Sequence, residues 1–278
     1  MTLFVANANG KVGTDLVAAL LAGGHAVRVG ARDLAKARAA FPGAEVVAFD
    51  YADVPAHAAA LDGVTALFTA APPWLLPAAE IDLLALARDK GVRRIVKLSY
   101  LGAELAPESP HGRAERAIEA SGLEWTHIRP TFFNQNFSTA HAATIRTEGA
   151  FYEPAADGAS AFIDTRDIAA VVVKALTEPG HNGKAYGLTG SESLTRHQVA
   201  EALSAALGRT IRYVPVDDAA LRASLAGAPQ ALVELLSGLY GAVRAGQTAA
   251  TTTTVADLLG RPPIRFADFA TDAAATWR

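Results

Sequence analysis

The opening stretch Thr2–Gly13, TLFVANANGKVG, gathers residues suited to one kind of chemistry, the binding of a diphosphate. Leu3, Phe4 and Val5 read as a short buried strand, and Val12, Leu16, Val17, Leu20 and Leu21 put an apolar stripe on a helix from Val12 to Leu21. Between them lies a tight turn holding Asn7, Asn9, Gly10 and Lys11. A diphosphate must come within hydrogen-bond reach of backbone N–H groups and of the positive end of a helix dipole, and side chains would block it. Gly10 and Gly13 are therefore the informative positions, with Asn7, Asn9, Lys11 and Val12 completing the cradle. Asn7 stands where such turns usually begin with glycine; asparagine tolerates positive φ, so the turn is expected to survive.

The charges that follow bear on which dinucleotide is held. Ala26–Gly30 reads as a second strand, followed by Arg32 and, one helical turn on, Lys36. At the end of this strand an acidic side chain would accept from the ribose 2′-hydroxyl, whereas a basic one holds a 2′-phosphate. The fork of donors on Arg32 matches phosphate oxygens and favours NADP(H) over NAD(H). Asp50 ends a third strand, Glu45–Asp50, near the expected adenine edge, and Thr69 and Ala70 belong to a fourth, Ala66–Ala71; these three complete the cofactor-binding set. Ser99, Tyr100 and His111 are the candidates to hold or donate a proton. Trp74, Tyr100, Phe132, Phe133 and Asn136 are expected to line an apolar substrate pocket beyond the carboxyl ends of the strands. The chain has no cysteine, and its seven histidines show no metal-ligand spacing, so no metal site is expected.

These residues need a scaffold. Arg94–Ser99 and Trp125–Arg129 read as fifth and sixth strands; between strands lie the helices Pro77–Lys90, with Ile81, Leu83, Leu84 and Leu86 toward a core, and Arg113–Ser121. Short apolar strands alternating with amphipathic helices imply a parallel sheet covered on both faces, an α/β doubly wound architecture. From Thr131 the pattern loosens. It retains a helix within Asp164–Leu176, a strand Tyr186–Thr189, a helix Leu194–Leu207, a strand Ile211–Val214 and helices Asp217–Leu225, Pro229–Tyr240 and Phe266–Trp277. Residues 1–130 are expected to form a dinucleotide-binding domain, and residues 131–278 a smaller, mixed α/β substrate lobe with some segments returning to the first domain.

The formal net charge of −3 gives no footprint for nucleic acid or an anionic membrane. No uncharged apolar run approaches the ~18 residues that span a bilayer, and no basic n-region with a cleavable apolar segment precedes the first strand. A cytoplasmic protein acting on a small molecule, as a monomer or homodimer, is expected.

NANGKVG, the Arg32/Lys36 pair, KLSYLGA at 97–103, ERAIEASGLEWTHIRP at 115–130 with the phenylalanine-asparagine cluster after it, and the terminal LLGRPPIRFADFA together resemble the NmrA-like, atypical short-chain dehydrogenase/reductase group. The resemblance spans nearly the whole chain and implies a Rossmann domain with a small substrate lobe, usually bound to NADP(H). Members of the group reduce quinones, azo dyes or triphenylmethane dyes, act in natural-product pathways, or serve as non-catalytic redox sensors. Ordinary short-chain dehydrogenases carry a Tyr and, four residues later, a Lys on the helix after strand five. Counting back from Ser121-Gly122-Leu123 puts Pro107 and His111 at those places, while Ser99 takes roughly the place of the catalytic Ser. The expected function is NADPH-dependent hydride transfer to a conjugated or aromatic molecule without that pair. The alternatives are a non-catalytic NADP-binding redox sensor, and a ketoreductase or tailoring enzyme using His111 or Tyr100 as donor.

Overall fold

The computed structural model describes all residues, Met1–Arg278. Its first elements are β1 (Thr2–Val5), α1 (Lys11–Ala22), β2 (Ala26–Ala31), α2 (Leu34–Ala40), β3 (Glu45–Ala48), β4 (Val64–Thr69), α3 (Ala78–Asp89), β5 (Arg94–Leu98), α4 (Pro110–Glu119) and β6 (Glu124–Pro130). There follow α5 (Gln135–Ser138), α6 (Ala142–Glu148), β7 (Ala150–Glu153), β8 (Ala159–Ser160), α7 (Thr165–Thr177), β9 (Lys184–Leu188), β10 (Leu194–Thr195), α8 (Arg196–Leu207), β11 (Arg212–Pro215), α9 (Asp218–Ser224), α10 (Gln230–Arg244), α11 (Thr254–Leu259) and α12 (Phe266–Asp272). The chain forms two compact units, Met1–Pro130 with Ile168–Gly187, and Thr131–Asp167 with Leu188–Arg278.

The central sheet is ordered β3-β2-β1-β4-β5-β6-β9. β1 pairs in parallel with β2 on one side and β4 on the other, setting Val5 opposite both Val29 and Phe68; the β2–β3, β4–β5 and β5–β6 pairs are parallel too. The doubly wound α/β fold expected from the sequence is therefore the fold observed. Strand order turns back between β1 and β4, and in such sheets that switch point leaves a crevice at the carboxyl ends of the strands.

Local chemistry moves several boundaries. Ser109 Oγ accepts from the Gly112 N–H at 3.1 Å and Pro110 takes the first helical position, so α4 starts before Arg113, where the apolar pattern placed it. Thr195 and Gln198 form a capping box that starts α8 at Arg196. On α3 the buried face carries Glu80, Leu83, Leu84 and Ala87, spaced as i, i+3, i+4 and i+7. Ile81, expected to face the core, is 41% exposed because it lies one position off that stripe. Under the sheet, Phe49 meets Phe4 and Tyr51 edge-to-face, with Leu61, Leu67, Leu83, Ile95 and Ile118 packed around them. Arg94 donates to the carbonyls of Ala175, Leu176 and Glu178, where a cation suits the end of α7.

Helix α4 and strand β6 share a buried polar contact. Arg129 holds Glu115 with two hydrogen bonds, Nε–Oε1 at 3.1 Å and Nη2–Oε2 at 2.7 Å. Burial raises the Glu115 pKa, but the Arg129 bonds and the nearby Ser99 hydroxyl outweigh it and leave the carboxyl below its usual range. His127 is fully buried with its ring stacked on Trp125. Its Nε2 lies 3.2 Å from Glu119 Oε1, yet burial, supported by the charges of Lys97 and Arg129, overrides the pull of Glu115 and lowers its pKa to about 4.

In the second unit, β7 is a strand that the sequence pattern did not disclose; it pairs in parallel with β11, and Phe137, Phe151, Phe162, Phe266 and Trp277 build the core. Trp277 Nε1 donates to the Phe137 carbonyl at 2.9 Å, tying the last turn to α5. Glu153 is buried between Arg196 and His141 at 2.8 and 2.9 Å. Burial alone would raise its pKa, but these two partners hold it at about 2. No helix of the chain is long and apolar enough to cross a membrane.

Two outcomes follow for stability. A Cβ on Gly13 would lie 1.9 Å from Asn7 O, against backbone that cannot yield. Gly13→Ala is expected to cost about 2 kcal/mol or more, read as a lower urea midpoint. His127 has a folded pKa below its ordinary 6.5, so the unfolded chain takes the proton first. Its contribution is complete above pH 6.5 and falls by ~1.4 kcal/mol per pH unit down to about pH 4. Urea titrations at pH 7 and 5.5 should show this loss, and His127→Leu should flatten that pH dependence.

Candidate active site at the carboxyl edge of the sheet

Five sequence segments emerge along one edge of the sheet: the turn after β1, Arg32 after β2, Asp50 after β3, Ala70 after β4 and Ser99-Tyr100 after β5. Asn7 does not adopt positive φ, which corrects the reason expected for its place in the turn. Its side chain serves instead as a tie, Nδ2 donating to the Ala70 carbonyl at 2.9 Å and joining the ends of β1 and β4 across the switch point. The glycines answer to Asn7 as well. A Cβ on Gly10 would stand 3.0 Å from Asn7 Nδ2, and one on Gly13 would strike Asn7 O, so both positions let the turn fold back on the helix start.

The helix start that results suits an anion. Gly10 caps α1 without a side-chain hydrogen bond, and no acidic residue occupies the first turn. The N–H groups of Lys11, Val12 and Gly13 are those a helix of this form leaves without an internal partner. Val12 turns its side chain into the core, leaving its backbone for a ligand; Asn9 and Lys11 are exposed on either side of Gly10. Arg32 and Lys36 are exposed at the end of β2 and the start of α2, and neither side chain forms an ion pair within the protein. Asp33, the acidic side chain between them, caps α2 by accepting from the Lys36 N–H at 3.0 Å. These groups fit a dinucleotide with an extra phosphate on its adenosine side: free amides for the diphosphate, uncommitted cations for the 2′-phosphate, and the local carboxylate engaged elsewhere.

Other expected contacts are already committed within the protein. Asp50 Oδ1 accepts from the Ala52 N–H, capping a single helical turn. Thr69 is fully buried, with its hydroxyl 2.8 Å from Tyr51 Oη and donating to Glu80 Oε1, and Ala70 donates its N–H to Tyr51 Oη. The end of β4 thus forms a wall of the site and offers no free side-chain donor.

Beyond β5, Tyr100 and His111 come together edge-to-face with ring centroids 5.3 Å apart. Ser99 is buried without an aligned hydrogen bond, its hydroxyl beside Glu115. Beneath this pair is a group that sequence reasoning passed over. Lys97 is completely buried, 2.6 Å from Glu80 Oε2 as an ion pair outside hydrogen-bond alignment, and its Nζ also lies 3.3 Å from His111 Nδ1. A charged residue inside the apolar strand RIVKL, with Glu80 on the apolar stripe of α3, was the available signal. Burial, followed by the Lys97 charge, pushes the His111 pKa down to about 3.

Trp74 is 47% exposed on a short turn after β4. Within the second unit, Phe132 packs against Phe162, Tyr240 and the Arg196 guanidinium, Phe133 bridges to Ile163 through its backbone, and Asn136 is half-buried in α5. Phe132 is thus part of that unit's packing. In this cluster it is Asn134 that is fully buried with neither amide atom hydrogen-bonded.

A family described as NAD(P)H-binding matches residues 8–179. The chain is 36% identical to an NAD(P)H azoreductase of Xenophilus azovorans, across 99% of both chains. It is 35% identical to a (4-alkanoyl-5-oxo-2,5-dihydrofuran-3-yl)methyl phosphate reductase of Streptomyces griseus, across 98% of both. An NADPH-dependent quinone oxidoreductase from Escherichia coli, solved as its NADPH complex, superposes with a TM-score of 0.83 at 27% identity, over 98% of this chain and 99% of that one. With that family match over more than half of its residues and these relatives along its full length, the chain belongs to the NAD(P)H-binding family, of the NmrA-like, atypical short-chain dehydrogenase/reductase type.

Proposed function

We propose that this protein is an NADPH-dependent reductase that passes hydride to a conjugated or aromatic small molecule, of quinone, enone, imine or azo type, without a Tyr/Lys acid pair. The observation that carries the reading is the charge arrangement at the ends of β1 and β2. Uncapped amides begin α1, Arg32 and Lys36 are unpaired, and Asp33 is engaged as a helix cap. When bound, the reduced nicotinamide supplies the hydride. The chain's own residues hold the diphosphate on the α1 amides and the 2′-phosphate on Arg32 and Lys36.

The nature of the acceptor follows from what the edge lacks. Helix α4, PHGRAERAIE, contains neither Tyr nor Lys, and Pro107 falls in the turn before it. Reduction of an isolated ketone concentrates charge on one oxygen and gains roughly 10²–10⁴-fold from a positioned acid. A conjugated acceptor spreads that charge, so orientation against the nicotinamide does more of the catalysis. The azoreductase and the quinone oxidoreductase named above act on acceptors of this kind, which supports the same class here.

Steady-state assays of NADPH oxidation with a panel of quinones, azo dyes, enones and simple ketones should show turnover of conjugated acceptors and little of the ketones. Absence of turnover with every conjugated acceptor would contradict the proposal. Arg32→Ala should raise the KM for NADPH by roughly 10–100-fold, the loss of one charge-assisted contact of about 1.5–3 kcal/mol. The KM for NADH should change far less; an equal rise for both would remove Arg32 from the 2′-phosphate site.

A further inference from the structure

We infer that Lys97 is a positioning residue that fixes His111 as the neutral tautomer protonated on Nε2, so that the ring presents a permanent hydrogen-bond donor to the acceptor atom on which negative charge develops. The tautomer follows from the structure alone; the use made of the donor rests on the reductase reading.

An ammonium has three N–H donors and no acceptor. The Lys97 Nζ is held 2.6 Å from the Glu80 carboxylate as an ion pair and directs N–H groups to the Leu98 carbonyl and to His111 Nδ1, each at 3.3 Å. Nδ1 must therefore accept, and the proton of a neutral ring is left on Nε2. The other tautomer would aim an N–H at the ammonium, and a doubly protonated ring would place a second cation there. His111 is the second residue of α4, where the positive end of the helix dipole also opposes a cation. The depressed pKa of His111 agrees.

The lysine is fixed from behind. Glu80 is 1% exposed, and its Oε1 accepts from the Thr69 hydroxyl at 3.1 Å and the Ala71 N–H at 3.3 Å. Tyr51 Oη, 2.8 Å from Thr69 Oγ1, continues the chain toward β3. A buried ion pair of this sort gives little net stability, and apolar residues of similar size would serve the core as well or better. What the pair adds is a lysine that can approach His111 from one side only. Meanwhile His111 Nε2 has no partner within the protein, and the ring is steadied against Tyr100.

A neutral imidazole N–H suits acceptors whose charge is delocalised. It shares its proton with a quinone or enone oxygen, or an azo or imine nitrogen, as hydride arrives, and the proton that completes reduction is taken from water. Loss of one such preorganised donor costs about 10²-fold in kcat.

The test begins with cofactor-free protein labelled with ¹⁵N-histidine. Two-bond ¹H–¹⁵N correlation spectra, with the His111 signals assigned by their loss in His111→Asn, should show a protonated Nε2 and a bare Nδ1 that do not titrate from pH 8 to 5. Glu80→Gln/Lys97→Met removes both charges together and keeps an acceptor for Thr69. In that variant His111 should titrate in the ordinary histidine range or mix tautomers, with kcat lowered and the KM for NADPH nearly unchanged. A proton on Nδ1 in the wild-type protein, or titration of His111 near pH 6.5, would overturn the assignment of the tautomer. If the tautomer is as stated and conjugated acceptors are reduced, but His111→Phe keeps the wild-type kcat, the donor role is overturned. Failure of the reductase reading is distinct: no acceptor is reduced, whatever the tautomer.

Discussion

A parallel sheet whose strand order turns back at its first strand must leave the carboxyl ends of β1 and β4 side by side, and the candidate site depends on how that gap is held. Asn7 spans it, donating to the Ala70 carbonyl. The turn then folds back closely enough on α1 that only glycine fits at position 13. Holding the turn there leaves the first amides of α1 uncapped, which is the condition for an anion to bind. The open helix start thus goes with strand topology and one side-chain amide.

The neighbouring strands supply charge of two kinds. At β2 it is exposed and uncommitted in Arg32 and Lys36. At β5 it is buried and committed, Lys97 being sealed between Glu80 and His111. Exposed cations can exchange water for a phosphate at small cost, whereas a buried ammonium has already lost its water and can act only through the groups it touches. Position relative to solvent therefore separates a charge available to a ligand from one committed within the protein.

Much of the fold was legible in the sequence because buried parallel strands read as apolar runs, as in Ala66-Leu67-Phe68 and Ile95-Val96, and because helices alternate with them. Gly10, Gly13, Arg32 and Lys36 were legible as a candidate cofactor site because the features that mark one, a glycine turn before a helix and a basic pair after the second strand, are local in sequence. What escaped depends on partners distant in sequence. Glu80 and Lys97 lie on a helix and on the strand that follows it, and their pairing exists only in the folded state. β7 is a strand because β11 pairs with it, some sixty residues later. The packing of Phe132 against Phe162, Tyr240 and Arg196 is likewise tertiary, and an aromatic residue near a strand end does not reveal it. At Asn7 the side chain and not a positive φ decides, since its amide reaches Ala70, 63 residues away.

As proposed, the edge of this sheet holds a dinucleotide by its diphosphate and by an additional phosphate on the adenosine side. Isothermal titration calorimetry of the purified protein with NADPH and with NADH should then show one site per chain, with NADPH bound at least about tenfold more tightly than NADH, the equivalent of one retained charge-assisted contact. Binding of neither nucleotide, or equal affinity for both, would contradict it.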